Sequence, residues 1–193
     1  MSEEVSIWKG EKFELNLQLF RPGLLAVLDS FDSLLEEAAD LGSAKIESTH
    51  ILIALSRLES CCLVPKLEKI GLSREGWISG LASCAEKSLS EPPPGHLIKD
   101  SFSSCAIAVL EHAELASGAD GKIDEIHLLA AALRGASERV KELSETANVP
   151  LEEWALEMED SLIEVDPITP FLPSGDLDSG AFSIPAFNLV EHA

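Results

Sequence analysis

The chain has 193 residues, with 34 Asp and Glu against 14 Lys and Arg and a formal net charge of −20. That surplus of negative charge excludes nucleic-acid binding by electrostatics and disfavours anionic membrane surfaces. The length suits one domain with a substantial core, and an apolar set rich in Leu and Ala, with no tyrosine, favours helices over sheets.

The opening residues do not read as a secretory leader, because Met1-Ser2-Glu3-Glu4 is acidic and Trp8-Lys9-Gly10-Glu11 interrupts any apolar run. No apolar stretch has the length of a membrane span. Residues 1–19 nevertheless stand apart. Phe13, Leu15, Leu17 and Leu19 alternate with Glu14, Asn16 and Gln18, which is the period of a half-buried strand. Such a strand needs a partner, either a segment of the C-terminal tail or the helices it lies over.

A first helical unit covers residues 20–88. Pro22 suits a first helical turn, and Leu24, Leu28, Phe31, Leu35 and Ala38 form one stripe that stops at Gly42. Ser48 is the expected cap of a second helix carrying Ile51, Leu52 and Leu55. A third helix runs from about Cys61 to Ile70 and ends on Gly71. Ser73 caps a fourth, with Trp77, Ile78, Leu81 and Ala85 on its inner face. Ser90-Glu91-Pro92-Pro93-Pro94-Gly95 then reads as an extended linker.

A second unit spans residues 101–160. Its first helix carries Ala106, Val109, Leu110 and Ala113 and stops near Gly118. Asp124 or Glu125 caps the next, with Leu128, Leu129 and Ala132 inside. Gly135-Ala136-Ser137 precedes the third helix, Asn148 ends it, and Pro150 opens the fourth. Residues 161–181 hold Pro167, Pro170, Pro173, Gly175 and Gly180 and read as an acidic linker, and no Lys or Arg follows Lys141. Residues 182–193, from Phe182-Ser183 to Glu191-His192-Ala193, repeat the pattern of Phe102-Ser103 to Glu111-His112-Ala113. They read as the truncated start of a third copy, and hence the chain as part of a longer polypeptide.

The two units are copies. Lys45-Ile46-Glu47-Ser48-Thr49-His50-Ile51-Leu52 is echoed by Lys122-Ile123-Asp124-Glu125-Ile126-His127-Leu128-Leu129. Each histidine is followed 27 positions later by a tryptophan, Trp77 or Trp154, just after Gly71-Leu72-Ser73 or Asn148-Val149-Pro150. Phe20 leads Val27-Leu28 by the step that separates Phe102 from Val109-Leu110. The fold class that follows is all-α: two pseudo-twofold four-helix repeats in one eight-helix domain over residues 20–160, with a strand-like N-terminal extension and a mostly irregular C-terminal tail.

The segments Phe102-Ser-x-x-Ala106-x-x-Val109-Leu110-x-x-Ala113 and Ile46-Glu47-Ser48-Thr49-His50-Ile51-Leu52-Ile53-Ala54-Leu55 resemble the first and second helices of the Clp repeat. Two such repeats form the amino-terminal domain of the Clp-type AAA+ unfoldases. The resemblance covers residues 20–160 and implies a non-catalytic docking domain that engages substrates, adaptors or the protease machinery. In some bacterial relatives each repeat takes phosphoarginine through a Thr at the start of helix one and a Glu just before the His. The matching positions here are Arg21 and Thr49 in the first repeat and Ser103 and Ile126 in the second. Both glutamates are missing, and a guanidinium needs a carboxylate for a paired contact, so phosphoarginine is not expected.

His50 and His127 read as local structural groups near helix starts, and Trp77 and Trp154 as core anchors. Ser73 and Ser103 read as caps, since no general base stands at a recognisable spacing. Cys61, Cys62, Cys84 and Cys105 read as reduced thiols of a cytoplasmic protein, the adjacent pair Cys61-Cys62 as small buried hydrophobes at a helix start, with no CxxC or HxxxH spacing for a metal. Gly118-Ala119-Asp120-Gly121-Lys122 lacks the phosphate-loop spacing and reads as a turn. Glu152, Glu153, Glu157, Glu159 and Asp160 form a solvated helix face, with partner docking as the alternative. The expected function is binding of a protein or peptide ligand for an unfoldase, without cofactor, metal, nucleic acid or membrane. The alternatives are a stand-alone regulator of a Clp-type ATPase or protease, and an all-helical enzyme.

Overall fold

The computed structural model describes residues 6–22, 24, 31–59, 61–86, 97–118 and 121–162. Among them are eight α-helices: α1 (Phe31–Asp40), α2 (Ser48–Arg57), α3 (Leu63–Lys69), α4 (Arg74–Cys84), α5 (Ser104–Ala116), α6 (Glu125–Arg134), α7 (Glu138–Ala147) and α8 (Leu151–Leu162). A two-stranded antiparallel hairpin precedes them, β1 (Trp8–Lys9) against β2 (Glu14–Leu15). No helix among the described residues is long and apolar enough to cross a membrane. The linker of residues 90–95 and the third-copy match of residues 182–193 lie outside the described residues.

Repeat symmetry governs the packing. α2 lies on α4 as α6 lies on α8, α1 meets α2 as α5 meets α6, and α2 and α6 pack on each other across the middle. These two helices are central because they are apolar almost all round. Ile51, Leu52, Ile53 and Leu55 are buried on α2, and every residue from His127 to Leu133 is buried on α6. One cluster of buried side chains runs through both repeats and includes Trp77 and Trp154.

The copies also interlock through their backbones. Each repeat enters through a 3-10 turn, Leu17–Leu19 in the first and Lys99–Ser101 in the second, followed by an extended Phe20 or Phe102. Phe20 bridges Ile123 of the other repeat, and Phe102 bridges Ile46. The bonds match one for one. The Arg21 amide donates to Ile123 O (2.8 Å) as that of Ser103 does to Ile46 O (2.8 Å). The Ile123 amide donates to Leu19 O (2.7 Å) as that of Ile46 does to Ser101 O (2.8 Å).

The N-terminal segment is less regular than its alternation suggests. Only Glu14 and Leu15 are strand; Phe13 takes a left-handed φ of 51° in the turn and is exposed, and Leu17 opens the 3-10 turn. The partners are β1 and the entry to repeat two: the Leu15 amide donates to Leu97 O (2.8 Å) and the Lys99 amide to Phe13 O (3.0 Å). The hairpin is pinned to α5. The Ile7 amide donates to Glu114 Oε1 (2.7 Å), and Trp8 Nε1 donates to Glu111 Oε1 (3.1 Å). The Trp8 ring meets Phe102 edge-on at 5.6 Å.

Helix ends follow the sequence except at two helix starts. α8 begins at Leu151, with Pro150 just before it. Gly71 and Asn148 both end a helix at positive φ, 81° and 54°. The next amide donates five residues back in each copy, Leu72 to Leu67 O (3.0 Å) and Val149 to Ser144 O (2.8 Å). The cap of α2, however, is Glu47 and not Ser48, which is its first helical residue and fully buried. Asp124 holds the equivalent place on α6.

The junction of α5 and α6 leaves no room at Gly135. An added Cβ would lie 2.6 Å from Val109 Cγ2 and 3.2 Å from Ala131 O. Gly135→Ala is therefore expected to destabilise by about 1–3 kcal/mol. Because the neighbour is a buried, branched side chain, Val109→Ala made first should remove most of that added cost. Urea unfolding of the four proteins measures it; equal costs in both backgrounds would contradict the assigned clash.

Candidate functional site: the groove between the repeats

The Phe102–Ile46 bridge sets helix starts from both repeats around one groove of about 680 Å³, where α2, α5 and α7 begin. Lys45, Glu47 and Ser48 line it from repeat one, with Cys84 and Glu86 at the end of α4. Ser103, Cys105, Ser137 and Arg139 line it from repeat two. Two of the hydroxyls serve as caps: Ser103 Oγ accepts from the Ala106 amide (3.2 Å) and Ser137 Oγ from that of Val140 (3.4 Å). Helix starts carry unpaired amides and a positive dipole end, so the walls offer donors as well as apolar surface.

Its charges are mixed. Burial raises the pKa of Glu47, and the Glu86 amide, which donates to Glu47 Oε2 (3.2 Å), works against that rise. Burial also raises the Cys84 thiol, whose Sγ donates to Arg139 O at 3.4 Å. Cys61, Cys62, Cys84 and Cys105 are all free thiols. Of the adjacent pair, Cys61 is buried as expected and Cys62 only half-buried, while Cys84 is buried as well. Cys105 is exposed at the groove rim, because the inner face of α5 is taken by Ala106, Val109, Leu110 and Ala113. Among the described residues no group of three or more His, Cys, Asp or Glu could hold a metal ion.

The four family positions separate. Ser103 lines the groove. Arg21 is exposed on the other side of the interlock, bonded through its amide to Ile123 of repeat two. Thr49 is fully buried, and its Oγ1 has no hydrogen-bond partner. Ile126 packs against the core, and its amide donates to Asp124 Oδ1 (3.1 Å). The backbone bonds of Arg21 and Ser103 run across the repeats, to Ile123 O and Ile46 O. The parallel bridges carry each repeat's entry segment to the other's second helix.

The histidines close the helix starts. His50 Nδ1 accepts the Glu47 amide at 2.9 Å and His127 Nδ1 that of Asp124 at 3.2 Å, the part a Glu or Gln plays three residues into many helices. His127 Nδ1 also lies 2.7 Å from Asp124 Oδ1. His50 is fully buried, its Nε2 has no partner, and burial lowers its pKa from the usual 6.5 to about 4. Sequence reasoning did not find Lys45, Cys84 or Arg139 as groove residues. Ser137 belongs to the stretch that precedes the third helix of its repeat, but no periodicity places the start of α7 beside the end of α4.

No protein-family model matches the chain, and no curated protein matches it. Solved structures do. One is a chain from preliminary structural investigations of a malarial protein secretion system, with a TM-score of 0.53 and 17% identity over 75% of this chain and 95% of that one. At this identity the likeness is one of fold.

Proposed function

We propose that the chain is a non-catalytic docking module of the Clp amino-terminal kind. It binds a peptide or helix of a substrate, adaptor or partner and presents it to an AAA+ unfoldase in the cytoplasm. The observation that carries this reading is the groove between the repeats. It lies where a backbone bridge joins the two copies of one motif, and helix starts from both copies line it beside partly apolar walls. Likeness in fold to a chain from a malarial protein secretion system agrees with a module that handles other proteins.

Capture from native cytosol with the tagged chain tests it, using Cys105→Trp with Arg139→Glu to fill and recharge the groove. Neither residue caps a helix, so far-UV circular dichroism should be unchanged. The expected result is one or two stoichiometric partners that survive high salt and fall about tenfold or more in the groove variant. Partners that are themselves Clp-type ATPase or peptidase subunits would move the reading to a regulator. Equal recovery by both proteins would contradict the groove.

A further inference from the structure

A second groove, of about 800 Å³, lies on the far side of repeat two between α6, α7 and α8. Its floor is apolar. Leu133, Val149 and Leu151 are buried beneath it, while Leu156 stands 51% exposed within it. A leucine this open among the lining residues leaves apolar surface uncovered within a concave site.

The walls are acidic. Glu145, Glu152, Glu153, Glu157 and Asp160 line it against two cations, Arg134 and Lys141. Both cations are already engaged, Arg134 by Glu159 and Lys141 by Glu138 at 2.8 Å, while Glu157 is held by Lys66. Glu145, Glu152, Glu153 and Asp160 make no ion pair among the described residues. The groove between the repeats differs, with Lys45 and Arg139 against Glu47, Glu86 and Glu138.

Charge selects the occupant. A second copy of the chain carries a net charge of −20 and would be repelled. The chain's own residues 163–193 hold Glu164, Asp166, Asp176, Asp178 and Glu191 with no Lys or Arg, and would be repelled too. We propose that this groove docks a basic amphipathic helix of a partner protein, with an apolar side chain against Leu156 and Lys or Arg among Glu152, Glu153 and Asp160. The proposal rests on the docking reading above and specifies the partner's chemistry. The apolar anchor supplies affinity, and the rim carboxylates supply steering and discrimination against acidic chains.

The test uses the full chain and a fluorescent synthetic helix of Leu and Lys, apolar on one face and basic on the other. The same peptide with Glu for every Lys serves as the control. Anisotropy reads affinity, and amide chemical shifts read the place. Saturable binding of the Lys peptide is expected, with shifts concentrated on α6, α7 and α8. Both Leu156→Ser and the pair Glu152→Lys with Glu153→Lys should weaken it about tenfold, at unchanged helicity. Binding that Leu156→Ser leaves intact and salt abolishes is charge attraction alone and overturns the proposal. Shifts at the groove between the repeats, sensitive to Arg139→Glu, overturn this site and leave the docking reading standing. Absence of saturable binding also overturns it, and the capture experiment then decides separately whether any docking occurs.

Discussion

Trp77→Ala is expected to cost roughly 3–5 kcal/mol, a large share of the stability of a domain this size. Trp77 is 1% exposed at the meeting of α4 with α2, and it is the largest fully buried side chain among the described residues. Removing it empties the core of repeat one, and the rigid helices around it can close only part of the cavity. Trp77→Phe should cost far less, on the order of 1 kcal/mol. The indole Nε1 is buried without a hydrogen-bond partner, so Phe removes an unpaired donor along with some volume. Trp154, its counterpart on α8, is 6% exposed and has the Lys66 ammonium 5.8 Å from its ring, so its loss also removes a cation–π contact. Urea unfolding followed by circular dichroism gives all three values. A Trp77→Ala cost near 1 kcal/mol would contradict the core described here.

The second large effect is a loss of stability on acidification that depends on His50. Its folded pKa is about 4 against the usual 6.5, and burial is the cause. The unfolded chain therefore binds a proton that the folded chain refuses, and stability falls as pH drops from about 6.5 to about 4. That gap, at about 1.4 kcal/mol per pH unit, corresponds to about 3 kcal/mol. Protonation at Nδ1 would also remove the acceptor that holds the Glu47 amide. Gln at the third helical position can accept the same amide and does not titrate in this range. His50→Gln should thus be less sensitive to pH than the wild type by up to about 3 kcal/mol across that window. Glu47, whose pKa is raised by burial, works in the opposite direction in both proteins and cancels in the difference. Parallel urea melts at pH 7 and pH 4 measure it, and identical pH dependence of the two proteins would contradict the buried neutral imidazole.

Most of the helical framework is legible in the sequence because its signals are local. The echo of Lys45–Leu52 in Lys122–Leu129, the equal His-to-Trp spacing and the matched stops at Gly71 and Asn148 give repeat, register and helix ends. The all-round apolar runs after His50 and His127 mark the central pair. The interlock is not legible. Phe20 meets Ile123 and Phe102 meets Ile46 through single backbone bridges between distant segments, and a single bridge has no period. The hairpin was hidden for a related reason. Two-residue strands are too short to show alternation, and the run from Phe13 to Leu19 is split by a turn residue at one end and a 3-10 turn at the other. The groove between the repeats inherits this limit. Ser103 was found through its place in the motif, but Arg139 and Cys84 reach the groove only through the packing of α7 on α4.

The central claim is that two interlocked copies of one helical motif make a docking module. Native mass spectrometry of the tagged chain, recovered gently from cytosol, tests it most directly. The expected result is a discrete complex of fixed stoichiometry that survives high salt and is lost in the Cys105→Trp, Arg139→Glu variant. A folded, helical chain that always flies alone would contradict it.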